Sequence, residues 1–329
     1  MNLEAALKVV DRDTYVLQEN GYPITQSTAT HAIENSLQLL KLQEGHRVLE
    51  IGTGSGFSTA LIAQMVGATG RVVTIDIDPV ITKRAEQLFQ THHFNQIKAV
   101  TKDGRQGFAE EQPFDRIVAW TTADYLPNSW SEQLNEEGII VAPFQVLAIA
   151  NSTVIPRFRK EKGLFVGDLV LEGSYIPMND NPCYKTFGAE LNADVMDESG
   201  STWASSKGLK ISNESEKQDY LSELKELVPQ SSMFKETEDP YDFRAYWLSL
   251  HETGQTTAFR EDTDQLIGFS DENGSAFVSL FNRITLFSNL KVKEKLEKWI
   301  EEWRRLGNPS YSDLYPFLED HLVRVKIKA

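Results

Sequence analysis

The residues best suited to chemistry lie in one short run, Val48-Leu49-Glu50-Ile51-Gly52-Thr53-Gly54-Ser55-Gly56-Phe57. Its apolar start reads as a strand that delivers the chain to a tight turn, where glycines let backbone approach a ligand with no Cβ in the way. A dinucleotide site wants a glycine three positions after Gly54, where Phe57 stands; the third glycine here is Gly56. Glu50 would repel a pyrophosphate, but it suits the cationic methionine end of S-adenosylmethionine, directly or through water. A second strand ends in Thr74-Ile75-Asp76-Ile77-Asp78. Asp76, at the strand end, can accept both ribose hydroxyls of such a cofactor, whereas Asp78, next to Pro79, reads as a helix cap. A third strand is followed by Lys102-Asp103-Gly104, where Asp103 can accept from an adenine amino group and Gly104 permits the turn. An Asp-Gly pair alone is an ordinary turn. Three acids at the ends of three successive strands point jointly to S-adenosylmethionine, with Glu50, Gly52, Thr53, Gly54, Asp76, Asp103 and Gly104 as the cofactor-binding candidates.

Those positions require a particular scaffold. Apolar residues recur at helical spacing through residues 1–40, broken by the turn cluster Asn20-Gly21-Tyr22-Pro23. From residue 47 strands alternate with helices: strands at 48–51, 71–76, 97–101, 114–120 and 138–143, helices at 58–66, 79–91 and 130–134. This alternation predicts an α/β fold with a doubly wound, Rossmann-like parallel sheet. Apolar runs at 146–154, 164–171 and 175–176 read as antiparallel strands at its edge. Residues 179–213, rich in Asn, Asp, Ser, Gly and Lys, read as a connecting region. Beyond them come a helix at 214–227, mixed elements over 242–286 and a strongly amphipathic helix at 292–306, whose Trp299 and Trp303 read as core. The expected organisation is a catalytic domain over 1–178, with a helical lid at 1–45, and a smaller α+β domain over 179–329.

The composition narrows the partners. With 33 Lys plus Arg against 48 Asp plus Glu, the formal charge is −15, which disfavours a nucleic-acid backbone as the main ligand. No apolar run approaches a membrane span, and the first residues lack a signal-peptide pattern. The single cysteine, Cys183, allows no internal disulfide and no cysteine-based metal cluster, and a reducing cytoplasm is the expected compartment. His92-His93 suggests a metal pair, yet neighbouring helical residues diverge, so capping or solvent-facing roles are expected and no metal. His31 follows the lid closely enough to approach the site, although an ordinary helical position is the simpler reading.

Residues 11–178 resemble the protein-L-isoaspartate O-methyltransferases. The matching stretches are Ile24-Thr25-Gln26-Ser27, the glycine-rich run, Asp103-Gly104, Pro113-Phe114-Asp115-Arg116-Ile117-Val118 and Glu137-Gly138-Ile139-Ile140-Val141-Ala142-Pro143. The resemblance implies a hydroxyl at Thr25 near the substrate carboxylate and the methyl donor, where the family usually has serine. It also implies Gln26 and Ser27 on the substrate side, Ser27 replacing a family proline, and Thr121-Thr122 on the active-site floor. The chemistry it implies is methyl transfer to an aspartate or isoaspartate carboxylate in a peptide or protein. Such a nucleophile is already ionised at neutral pH, so alignment and exclusion of water matter more than a general base. The extension resembles that of methyltransferases acting on macrocyclised, ribosomally made peptides, through Thr257-Ala258-Phe259, Gly274-Ser275-Ala276 and Trp303-Arg304-Arg305-Leu306-Gly307-Asn308-Pro309. That likeness implies methylation of an aspartate in a cyclised precursor, followed by aspartimide formation. Repair of isoaspartyl residues is the alternative within the same chemistry. A cofactor-fold protein that has lost catalysis and serves as an interaction module is the alternative outside it.

Overall fold

The computed structural model describes residues 1–18, 20–173, 175–178, 194–261 and 264–328. The N-terminal helical segment, expected to act as a lid, consists of α1 (Leu3–Val9), α2 (Arg12–Val16) and α3 (Thr30–Leu40). Then follow β1 (Arg47–Ile51), α4 (Phe57–Val66), β2 (Arg71–Asp76), α5 (Pro79–Thr91), β3 (Ile97–Thr101), β4 (Phe114–Ala119), α6 (Asn128–Gln133) and β5 (Leu134–Val141). The first sheet is completed by β6 (Phe144–Gln145), β7 (Thr153–Glu161) and β8 (Leu164–Leu171). Its order is β3-β2-β1-β4-β5-β7-β6, with β8 paired to β7. β1 to β5 run parallel, and β6, β7 and β8 join antiparallel.

Both faces of this sheet are covered, as a parallel sheet requires. Val48, Val72, Val118 and Ile139 face the side packed by α1, α3, α4 and Phe89 of α5. Their strand neighbours Leu49, Val73, Ile117 and Ile140 face a second core with Trp130, Phe144 and Phe158. Alternate residues of a strand point to opposite faces, and apolar residues on both faces give these strands their unbroken hydrophobic run.

The extension comprises β9 (Val195–Met196), β10 (Thr202–Ser206), α7 (Glu214–Glu226), β11 (Pro229–Gln230), α8 (Pro240–Leu248), β12 (Gln255–Arg260), β13 (Gln265–Asp271), β14 (Gly274–Ser279), β15 (Thr285–Phe287), α9 (Leu290–Arg305), β16 (Leu314–Glu319) and β17 (Leu322–Ile327). Seven strands form an antiparallel sheet, β11-β15-β14-β13-β12-β10-β9, and β16-β17 is a separate hairpin. Trp299 and Trp303 are buried on α9, as the amphipathic pattern predicts. The extension is joined to the catalytic part rather than tethered to it. One hydrophobic core contains Leu49 and Phe158 together with Phe243, Trp299 and Trp303. Across the junction Leu126 N–H donates to the His321 carbonyl at 2.9 Å, and Arg324 Nη1 to the Val146 carbonyl at 2.7 Å.

Three expectations need correction, the first at 175–176, which form no antiparallel strand but lead into a parallel bridge of Pro177 with Thr122. Residues 146–152 form no strand; β7 begins at Thr153. Val146, Leu147, Ile149 and Ala150 are apolar because the loop is buried under the extension. The Ser152 hydroxyl donates to the Leu147 and Ile149 carbonyls in place of a ladder partner. Of the connecting region, residues 179–193, which include Cys183, lie outside the described residues. Residues 202–206, by contrast, are a buried strand of the extension sheet, with Ser205 Oγ accepting the Ala150 N–H at 3.0 Å.

Candidate active site

The glycine-rich run folds as its composition demands. β1 ends at Ile51; Gly52, Gly54 and Gly56 then adopt φ of 93°, 47° and 83°, a region that favours glycine, before α4 starts at Phe57. Gly52 N–H donates to the Ile75 carbonyl at 2.7 Å, which ties the turn to β2. A cavity of about 910 Å³ opens beside it, at the upper end of the size range of small-molecule sites. It lies at the C-terminal ends of the parallel strands, where ligands of open α/β sheets bind.

Gly52, Thr53, Gly54, Asp76, Asp103 and Gly104 all line this cavity. The Asp76 carboxylate is fixed by its own neighbours: Gly54 N–H donates to Oδ2 and Asp78 N–H to Oδ1, each at 3.1 Å. Each oxygen keeps a lone pair for a further donor, which is what two vicinal ribose hydroxyls offer. Burial pushes the Asp76 carboxyl above its ordinary value, and the two backbone donors oppose that. Asp78 caps α5 by accepting the Val80 N–H at 2.8 Å, as its place before Pro79 suggests. Asp103 caps the short turn that follows β3 and is gripped by Arg105, whose Nε lies 3.0 Å from both carboxylate oxygens. An adenine amino group would share this carboxylate with Arg105.

Glu50 occupies another place. It is fully buried and does not line the cavity. Oε1 accepts from the Ser58 hydroxyl at 2.6 Å and Trp120 Nε1 at 2.8 Å. Oε2 accepts from Thr74 at 2.7 Å and from the Thr59 hydroxyl. Burial pushes its carboxyl upward against these four donors. In this arrangement Glu50 ties β1, β2, the start of α4 and the Trp120 indole together behind the turn. Trp120 itself lines the cavity.

The lid supplies the opposite wall, with Thr25, Gln26, Ser27, Thr28, His31 and Asn35. The fit is close, since a Cβ built on Gly54 would stand 2.5 Å from the Gln26 carbonyl oxygen. His31 is exposed on α3 and borders the cavity, so its helical position and its approach to the site are both realised. His92 is the C-terminal cap of α5 and packs on Tyr15.

Of the floor residues, Thr121 lines the cavity and Thr122 does not. The Thr122 hydroxyl donates to the Tyr175 carbonyl at 2.8 Å, its N–H to the Ile176 carbonyl at 2.8 Å, and its own carbonyl accepts from Met178 N–H at 2.7 Å. Thr122 thus anchors residues 175–178, which carry Tyr175 and Ile176 to the cavity. The Thr121 hydroxyl is buried without a hydrogen-bond partner among the described residues. A single χ1 rotation exchanges its methyl and hydroxyl positions. Glu172, Asp239 and Tyr241 also line the cavity and had no signal in the sequence. Asp239 and Tyr241 belong to the start of α8, so the extension reaches the same site. Among the described residues no helix is long and apolar enough to cross a membrane.

Residues 2–182 match the family model described as protein-L-isoaspartate(D-aspartate) O-methyltransferase. A protein-L-isoaspartate O-methyltransferase of Methanococcus maripaludis is 31% identical over 151 residues, covering 46% of this chain and 69% of the relative. Another, from Fervidobacterium nodosum, is 36% identical over 149 residues, 42% of this chain and 75% of the relative. A solved structure titled protein-L-isoaspartate O-methyltransferase aligns with a TM-score of 0.53 at 17% identity, over 99% of this chain and 95% of that one. That last likeness is one of fold, and it spans the extension as well as the catalytic sheet. The chain belongs to the protein-L-isoaspartate(D-aspartate) O-methyltransferase family and is an S-adenosylmethionine-dependent protein carboxyl methyltransferase.

Proposed function

We propose that the chain methylates the free carboxylate of an isoaspartyl residue, its α-carboxylate, or the side-chain carboxylate of an aspartyl residue, held in a peptide or protein. The supporting observation is that one cavity joins the cofactor wall (Gly52, Thr53, Gly54, Asp76, Asp103, Gly104) to the hydroxyl-bearing lid loop of Thr25, Gln26 and Ser27. S-Adenosylmethionine, when bound, supplies an electrophilic methyl group and a positive sulfonium. Asp76 receives the ribose, Asp103 the adenine, and the turn over Gly52 and Gly54 receives the methionine backbone. Thr25, with Gln26 and Ser27, orients the substrate carboxylate, which needs no base to ionise. Among the described residues lining the cavity none is a lysine or arginine. The incoming carboxylate is then oriented by hydroxyl and backbone donors, and the lid holds water out.

Thr121 is a test of that wall. Its hydroxyl has no hydrogen-bond partner among the described residues, so Thr121→Val should leave stability unchanged or slightly raised. If the hydroxyl turns to the substrate, kcat/KM falls about fivefold to tenfold, one neutral hydrogen bond's worth. Unchanged kcat/KM removes Thr121 from the substrate side.

The extension is read as a substrate-binding unit because Asp239 and Tyr241 reach the cavity beside Glu172. A macrocyclised precursor peptide, with the methyl ester attacked by the next backbone nitrogen to give an aspartimide, rests on the sequence likeness of the extension alone. A solved protein-L-isoaspartate O-methyltransferase structure aligns in fold over nearly its whole length, extension included. The extension therefore does not separate the two substrates, and the isoaspartyl peptide is the preferred reading. Mass spectrometry of matched linear isoaspartyl, linear aspartyl and cyclised aspartyl peptides, after incubation with cofactor, decides between them. A gain of one methyl on the linear isoaspartyl peptide is expected; methylation confined to the cyclised peptide, followed by loss of methanol, would reverse the order.

A further inference from the structure

We propose that Arg84 is the positioning residue that holds the Thr25 loop against the glycine-rich turn. Arg84 lies on α5, outside the cavity, and one guanidinium donates to three backbone carbonyls in two distant segments. Nη2 reaches the Tyr15 carbonyl at 2.7 Å and the Leu17 carbonyl at 3.2 Å. Nη1 reaches the Ser55 carbonyl at 3.2 Å, inside the turn. Tyr15 and Leu17 stand at the C-terminal end of α2, where carbonyls lack intrahelical partners and a cation is favourably placed. Gln18 N–H donates to the Tyr22 carbonyl at 2.9 Å. The chain returns alongside itself, Ile24 N–H donating to the Val16 carbonyl at 2.9 Å, and delivers Thr25 to the cavity.

Thr25 is therefore one residue beyond Ile24, whose N–H bonds the Val16 carbonyl at the end of α2, between the two carbonyls that Arg84 holds. The same guanidinium grips the turn on which the Gln26 carbonyl rests. Arg84 measures the distance between lid and turn from behind, while contact between Gln26 and Gly54 sets it from the front. A planar fork serves several carbonyls at once; a lysine ammonium is a point charge on a flexible stem and does so poorly. Tyr15 packs on Phe57 and Phe89, and these ring contacts keep α2 docked when the guanidinium is removed. What is lost is the register of the loop and not the fold.

The role assigned to Thr25 in the proposed function underlies the kinetic part of this inference, but not the exchange part. In full-length R84Q without cofactor, amide hydrogen exchange over residues 15–28 should rise at least tenfold, while that of α4 and β1 stays unchanged. S-Adenosylhomocysteine should dissociate at least tenfold faster, and kcat should fall about tenfold with a smaller change in the KM for an isoaspartyl peptide. R84K should fall between R84Q and the unaltered chain. Should R84Q fail to fold, R84K carries the same measurements. Unchanged exchange over residues 15–28, or a uniform rise that includes α4 and β1, would overturn the proposal. Raised exchange in 15–28 with unchanged kcat would keep the latch and remove the Thr25 assignment.

Discussion

Glu50→Ala is expected to destabilise the protein by about 3 kcal/mol, whereas Glu50→Gln loses about 1 kcal/mol. The difference follows from the four donors around the carboxylate. Alanine leaves the Trp120 indole N–H and the Ser58 and Thr59 hydroxyls without this acceptor, while Thr74 keeps the Thr53 hydroxyl at 2.8 Å, and unsatisfied buried donors dominate the loss. Glutamine can place its carbonyl oxygen at the Trp120 and Ser58 side, where the indole can only donate. Its amide nitrogen then faces Thr59 and Thr74, whose hydroxyls can rotate to accept. Urea denaturation of the two variants measures this ordering, and equal stability of the two would refute it. Cofactor affinity separates the structural role of Glu50 from a direct one. Because the side chain stands behind the turn, Glu50→Gln should weaken cofactor binding less than tenfold; a larger loss in a fully folded variant would indicate direct charge recognition.

Gly54→Val should have the larger effect on the cofactor and the smaller on the fold. Gly54 has φ of 47°, where a residue with a Cβ loses roughly 1–2 kcal/mol. The same Cβ would also meet the Gln26 carbonyl oxygen at 2.5 Å, a backbone atom that cannot rotate away. The lid loop must retreat, and Thr25 with it. Cofactor affinity is expected to fall at least tenfold and kcat/KM about a hundredfold, since a displacement of one ångström at a positioning loop is already felt at that scale. Gly21→Val is the matched control, because its φ of 79° is also positive but a Cβ there meets nothing within 4 Å. Calorimetric titration with S-adenosylhomocysteine compares the two. Equal affinity in both variants would mean that strain alone, and not the approach of the lid, governs binding.

Much of the catalytic sheet was legible because its signals are local. Apolar runs bounded by Gly52, Asp76 and Asp103 locate the strand ends, and the glycine spacing distinguishes the turn from a dinucleotide one. The lid loop and Thr121 came from resemblance and do line the cavity. Parity across two adjacent threonines was not legible: neighbouring residues of an extended chain point opposite ways, and nothing local says which of Thr121 and Thr122 faces in. Glu50 was placed on the cavity because its position is local information, while the donors that enclose it come from α4, β2 and the end of β4. The apolar run 146–152 reads as a strand because burial under a second unit and burial in a sheet leave the same composition. The opposite error occurs at 202–206, where polar residues are buried and hydrogen-bonded. Asp239 and Tyr241 reach the cavity only through the packing of α8, which no local pattern announces.

A crystal structure of the full chain with S-adenosylhomocysteine tests the central claim most directly. The ribose hydroxyls are expected on Asp76, the adenine beside Asp103, and the homocysteine over Gly52 and Gly54, with the sulfur turned toward Thr25 and Glu50 still enclosed by its four donors. Adenosine bound away from Asp76 and Asp103, or a Glu50 carboxylate swung out to the ligand amine, would contradict the assignment of this wall.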